Sequence, residues 1–210
     1  MPSQHFMDRW FEWMNGRLWI YDQTDTVAPD RVVGMIHYAA KKLGVKHVMV
    51  DSLMKCGIRG SSDSQYAGQR DFVDRLAWKA KALDCHIHLV HHMRKGEKES
   101  IVPDKFDIKG AGEIADMVDN IFIVHRNKRK ERAAEKKEVV DRYEPDTTIT
   151  CAKQRNGEWE GTVNLYFHGA SQQLIPNPDK GHMFWPGMNV PENVHPLKEL
   201  HSGYEPGETG

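Results

Sequence analysis

With 210 residues, a 39% hydrophobic share and a 28% charged share, the chain has the profile of one soluble globular domain. A net charge of −1 excludes binding of nucleic acid by a uniformly basic face. Any polyanion must then be gripped by local loops. No apolar run approaches the roughly 18 residues of a membrane span, and the N-terminus MPSQHFMDRW lacks the basic start and apolar stretch of a secretory signal, so a cytoplasmic address with no membrane partner is expected.

In chain order, Gly16 to Asp22 (GRLWIYD) is predicted as a first short strand. Pro29 and Asp30 open a helix to about Leu43, with Val33, Ile36, Ala40 and Leu43 on one face and Gly44 ending it. Val45 to Val50 reads as a buried strand that stops at Asp51 and Ser52, and a polar, glycine-rich loop follows, Lys55 to Ser64. The next helix runs from about Gln65 to Leu83, aligning Phe72, Leu76, Ala80 and Leu83. Cys85 to Val90 is a strand ending at His91 and His92, and a lysine-rich loop, Met93 to Phe106, comes after it. Ile108 to Met117 suggests a short helix, Asn120 to Val124 a strand, and Thr147 to Ala152 and Thr162 to Phe167 two more.

The charge-dense stretch Arg126 to Glu138 (RNKRKERAAEKKE) reads as a solvated helix or flexible excursion. From about Ile175 the chain is rich in Pro, Gly, His and Asn without periodicity, as an irregular or disordered tail would be. The expected organisation is a domain over 1–174 and a tail over 175–210. Alternating strands and helices point to an α/β fold with a mostly parallel sheet flanked by helices. The cysteines Cys56, Cys85 and Cys151 form no CxxC pair and no Cys/His cluster, so neither a disulfide framework nor a zinc site is expected.

In an open α/β sheet, ligands bind beyond the carboxyl ends of the strands. The residues at those ends are Asp22, Asp51, Ser52, His91, His92, Arg126, Lys153 and Arg155. Such a set suits a polyphosphate with a metal ion better than it suits acyl transfer. A carboxylate ending a buried strand can hold Mg²⁺, although Asp51 can equally cap the next turn. His92 can hydrogen-bond a γ-phosphate, or be a satisfied structural histidine. Lys153 and Arg155 are two apart in a strand and face one way; they can neutralise phosphoryl charge together, or stand as exposed charges on an edge.

Four segments, VMVDSL, LVHHMRK, DIKGAGEIADMVDNIFIVHRNK and CAKQRNGEWEGTVNLYF, follow in this order. Together they resemble the superfamily 4 helicases, which include DnaB-type replicative helicases and phage primase-helicases. The resemblance covers about Gly16 to Leu174 and implies a RecA-like ATPase fold of the P-loop type, with the N-terminal part of the domain missing. It implies ATP and Mg²⁺ as cofactors, single-stranded DNA as partner and a ring homo-oligomer, six subunits in the family, with a primase as a further possible partner. By position, Asp51 matches the Walker B aspartate that serves Mg²⁺, with Ser52 beside it, and His92 matches the phosphate sensor. Arg155 matches the arginine finger inserted into the neighbouring subunit's site, and Lys153 its companion. The loop bearing Lys55 and Arg59 and the loop bearing Arg94, Lys95, Lys98, Lys105 and Lys109 resemble the two that grip single-stranded DNA. Gly110 and Gly112 there allow close backbone approach.

One departure matters. The 210 residues contain no GxxxxGK followed by Ser or Thr, the loop whose N–H groups and lysine cradle phosphates. In the family that loop and the catalytic glutamate precede the strand at Gly16. The expectation is a fragment of a longer motor, or a split or truncated gene product, with no hydrolysis by this chain alone. Two other readings stay open: a non-hydrolysing binding or assembly module, and a RecA-like recombination or regulatory ATPase.

Overall fold

A computed structural model describes residues 4–23, 25–58, 61–92 and 112–183. The chain divides into two compact units, Met1–His92 and Met93–Gly210.

The first unit begins with α1 (Gln4–Met14), followed by α2 (Pro29–Lys42), β1 (His47–Val50), a 3₁₀ turn (Leu53–Lys55), α3 (Ser62–Leu83) and β2 (His86–Leu89). Proline opens α2, Asp30 lies in its first turn and Lys41 and Lys42 in its last, an order that suits the helix dipole. Gly44 then takes φ +69°, a left-handed turn that a side chain would strain. The crossover through α3 makes β1 and β2 parallel, with His47 opposite His86 and Val50 opposite Leu89. Val48, Val50, Ile87 and Leu89 alternate with the exposed His47, Met49, His86 and His88. α3 packs against α2 and β2. Its buried Phe72, Val73 and Leu76, with Val33 and Ile36 of α2 and Leu53, supply the core.

The second unit holds α4 (Gly112–Met117), β3 (Asn120–Arg126), α5 (Lys128–Glu135), β4 (Thr147–Gln154), β5 (Thr162–His168) and β6 (Gln173–Ile175). The four strands form an antiparallel sheet in the order β3-β4-β5-β6. Ala115 of α4 packs with Ile121 and Ile123 of β3, and Val118 and Ala152 close the cluster.

Two expectations change, and one helix is new. The stretch Gly16–Asp22 is not a strand: it turns after α1 and runs without regular structure. Its residues have high strand propensity, but no described strand pairs with them; Leu18 is 56% and Ile20 81% exposed. Propensity alone does not hold a strand together. The helix α1 was not anticipated, although Met7, Trp10, Phe11 and Met14 recur at helical spacing. Finally, a mostly parallel sheet describes β1 and β2 alone. β4, β5 and β6 are joined by the short connections 155–161 and 169–172, and a parallel pair needs a crossover of a dozen or more residues.

The charge-dense stretch does contain a helix, α5. Asn127 caps it by accepting from the Lys130 N–H at 3.0 Å, and donates to Glu144 and to the Pro145 carbonyl. Lys130 is buried and paired with Asp146 at 2.9 Å.

Candidate functional site

The carboxyl ends of β1 and β2 are tied together by the backbone. The Val90 N–H donates to the Val50 carbonyl at 3.0 Å, and the Leu53 N–H donates to the Val90 carbonyl at 3.0 Å. The chain leaving β1 therefore crosses the end of β2, and Asp51 and His92 emerge at the same edge of the parallel pair. Both are exposed. Neither side chain has a hydrogen-bonding or ionic partner among the described residues. Ser52 is buried beside Asp51, across a cis peptide bond. The cap position of the 3₁₀ turn that follows is Ser52, whose side chain makes no cap bond.

A single open carboxylate suits one class of metal. Among the described residues no cluster of three or more His, Cys, Asp or Glu could cage an ion. Mg²⁺ needs no such cage: it keeps several waters and takes one or two carboxylates plus substrate phosphates. Asp51 fits that donor set.

The second group of expected residues lies in the other unit and is held differently. Lys153, near the end of β4, donates its Nζ to the Ala115 carbonyl at 2.7 Å and the Asp116 carbonyl at 3.1 Å. Arg155, just past β4, donates Nη1 to Asp119 Oδ1 at 3.0 Å and Nη2 to the Asp116 carbonyl at 2.8 Å. Its backbone N–H adds a bond to the Asp119 carbonyl at 2.8 Å. The two cations thus reach the same corner, as their spacing of two implies, and share the Asp116 carbonyl. They sit on the carbonyl end of α4, where the helix dipole favours positive charge.

The expected DNA-contacting residues are only partly on view. Lys55 ends the 3₁₀ turn, is exposed, and its carbonyl accepts the Val27 N–H at 2.9 Å. Gly112 is the first residue of α4. Arg59, Arg94, Lys95, Lys98, Lys105, Lys109 and Gly110 lie outside the described residues.

The sequence reading missed Asp119. It stands one residue before β3, and its partner Arg155 stands one residue beyond the Asn120–Gln154 pair that closes the β3–β4 ladder. An acidic residue preceding one strand, with a Lys-x-Arg ending its antiparallel neighbour, was the available signal. It could be read only once the pairing of those strands was known.

A family model for the DnaB-like helicase C-terminal domain matches residues 4–175. The chain belongs to that family. A solved structure of a DnaB-like replicative helicase, described together with its interactions with primase, is similar in fold to this DnaB-like chain. The TM-score is 0.61 at 18% identity, over 83% of this chain and 42% of the other, so the DnaB-like domain here spans less than half the length of that protein. A sequence search of curated proteins gives no match. Among the described residues no helix is long and apolar enough to cross a membrane.

Proposed function

We propose that this DnaB-like chain is part of the ATP-driven motor of a replicative DNA helicase, a RecA-like domain over 1–174 followed by a tail. Nucleotide sites are shared between subunits of a ring, six by family analogy, that moves 5′ to 3′ along single-stranded DNA. The observation that carries the reading is the open Asp51 carboxylate at the carboxyl end of a parallel strand pair, with His92 three residues past the end of the second strand.

Bound there with ATP, Mg²⁺ would neutralise charge on the phosphoryl oxygens. Asp51 would hold the metal, with the buried Ser52 beside it. His92 donates to the γ-phosphate and reports its presence to the chain that follows. Arg155 and Lys153 of an adjacent subunit bring positive charge to the transferring group. These 210 residues contain no GxxxxGK loop, and the phosphate cradle and, by family analogy, the general base would come from other residues. Lys55 and Arg59, with Arg94, Lys95, Lys98, Lys105 and Lys109, contact the DNA backbone. Gly110 and Gly112 let it approach. A primase is proposed as a further partner because the similar solved helicase is described with one.

The test is ATP turnover by this chain joined with a polypeptide segment that carries the phosphate loop, with and without single-stranded DNA. The reading expects turnover that rises with DNA and unwinding of a 5′-tailed duplex. DNA binding without any turnover contradicts it and favours a non-hydrolysing assembly module, a reading supported by the missing GxxxxGK loop.

A further inference from the structure

The corner that holds Lys153 and Arg155 is built in a way that assigns work to a residue outside the expected set. α4 is short, and its last carbonyls need partners. Ala115 and Asp116 find them in the side chains of Lys153 and Arg155. α4 is itself fixed on the sheet, because Ala115 is buried against Ile121 and Ile123 and the cluster reaches Ala152 of β4. The ladder between β3 and β4 shifts register at Ile121 and Phe122, so Ala152 is the extra residue, and beyond it Ile121 pairs with Lys153 and Asn120 with Gln154. Asp119 closes the structure at the other side. It holds Arg155 twice, through the carboxylate on Nη1 and through its carbonyl on the backbone N–H.

A guanidinium has five N–H donors. The carboxylate of Asp119 and the carbonyl of Asp116 take one each, on different nitrogens, which fixes the plane of the group and leaves three donors unused by these bonds. Arg155 is 43% exposed at the side chain, so the group reaches solvent. A free arginine must give up rotamer entropy to adopt one geometry. Here the geometry is set beforehand by a carboxylate and a helix end.

We propose that Asp119 is the positioning residue for Arg155, holding the guanidinium oriented before any phosphate arrives. This rests on the reading of Arg155 as the group that meets a phosphoryl oxygen. It makes β3 and α4 part of the finger's support.

Two measurements test it. In the 210-residue chain, the Arg155 side-chain Nε–H resonance is compared in wild type, Asp119→Asn and Asp119→Glu. Asp119→Asn keeps the size and removes the charge. It should move the signal and speed its exchange with water while the amide spectrum of β3 and β4 is retained, and Asp119→Glu should return it most of the way. In the motor assembled with a phosphate loop, Asp119→Asn should lower kcat roughly 10- to 100-fold with little change in KM for ATP, as misplacement of an aligned group does. Arg155→Ala should lower it about 1,000-fold. An Arg155 signal unmoved by Asp119→Asn, or wild-type turnover in Asp119→Asn where Arg155→Ala has lost it, overturns the positioning role alone. Wild-type turnover in Arg155→Ala instead removes the finger reading on which it rests.

Discussion

At the carboxyl end of β1, Asp51 stands exposed with no side-chain partner among the described residues. At the end of β4, Arg155 and Lys153 are each tied to the α4 corner by two side-chain bonds. Both places carry charge, but only the second uses it inside the fold. An open carboxylate can change ligands without disturbing its surroundings, which suits a group that takes up and releases a metal with each nucleotide. A guanidinium bound at two points is suited to the opposite task, that of presenting one fixed geometry to a site built elsewhere.

That contrast is broken most severely by deleting each charge. Asp51→Ala should abolish ATP turnover in the assembled motor yet change unfolding stability by no more than about 0.5 kcal/mol, since no described contact is lost. Arg155→Ala should also remove turnover, but should cost about 1 kcal/mol or more in a denaturant titration, because Asp119 and the Asp116 carbonyl lose a partner. Equal stability losses for the two variants would erase the difference between the open and the braced end.

The support beneath each place can be probed next. The parallel pair that carries Asp51 rests on α3, where Phe72 is 1% exposed. Phe72→Ala should destabilise the chain by about 3–5 kcal/mol, measured by thermal or urea unfolding. In the other unit, Asn127→Ala removes the α5 cap and should cost about 1 kcal/mol, with the loss confined to exchange of amides near 128–131.

The smallest effect is in pH. On the exposed face of the parallel pair, the His86 and His88 ring centroids lie 4.3 Å apart, and His47 contacts His88 at 3.3 Å. Partial burial first, then the neighbouring charges of His86 and His47, holds the His88 pKa below the ordinary imidazole value. The folded chain therefore takes the proton less readily than the unfolded chain. The stability this contributes is present above about pH 6.5 and is lost as pH falls through that region. His88→Asn should flatten the decline of Tm between neutral and mildly acid pH; an unchanged slope removes His88 from the account.

Much of this was legible in the chain. The apolar spacing of Val33 and Ile36, and of Phe72 and Leu76, gave α2 and α3 because buried faces enforce a 3.6-residue period. Asp51 was legible as the residue that follows β1 because an apolar run stops there, whereas His92 lies three residues past the end of β2. Strand pairing was not legible. GRLWIYD has the composition of a strand, yet strands exist only in pairs, and no described strand adjoins it. The antiparallel sheet was obscured because alternation of elements says nothing of direction unless connection lengths are weighed. Asp119 was hidden by the same gap, since its meaning depends on which residue of β4 lies opposite.

The most direct test of a shared site mixes two inactive proteins. Asp51→Ala and Arg155→Ala versions of the motor, each complete with a phosphate loop, are assayed for ATP turnover alone and together. A subunit retaining Asp51 and a neighbour retaining Arg155 form one intact site between them, so the mixture should regain a measurable fraction of wild-type turnover while each variant alone stays inactive. A mixture no more active than its parts would contradict the account, because Asp51 and Arg155 would then serve the same subunit's nucleotide or none.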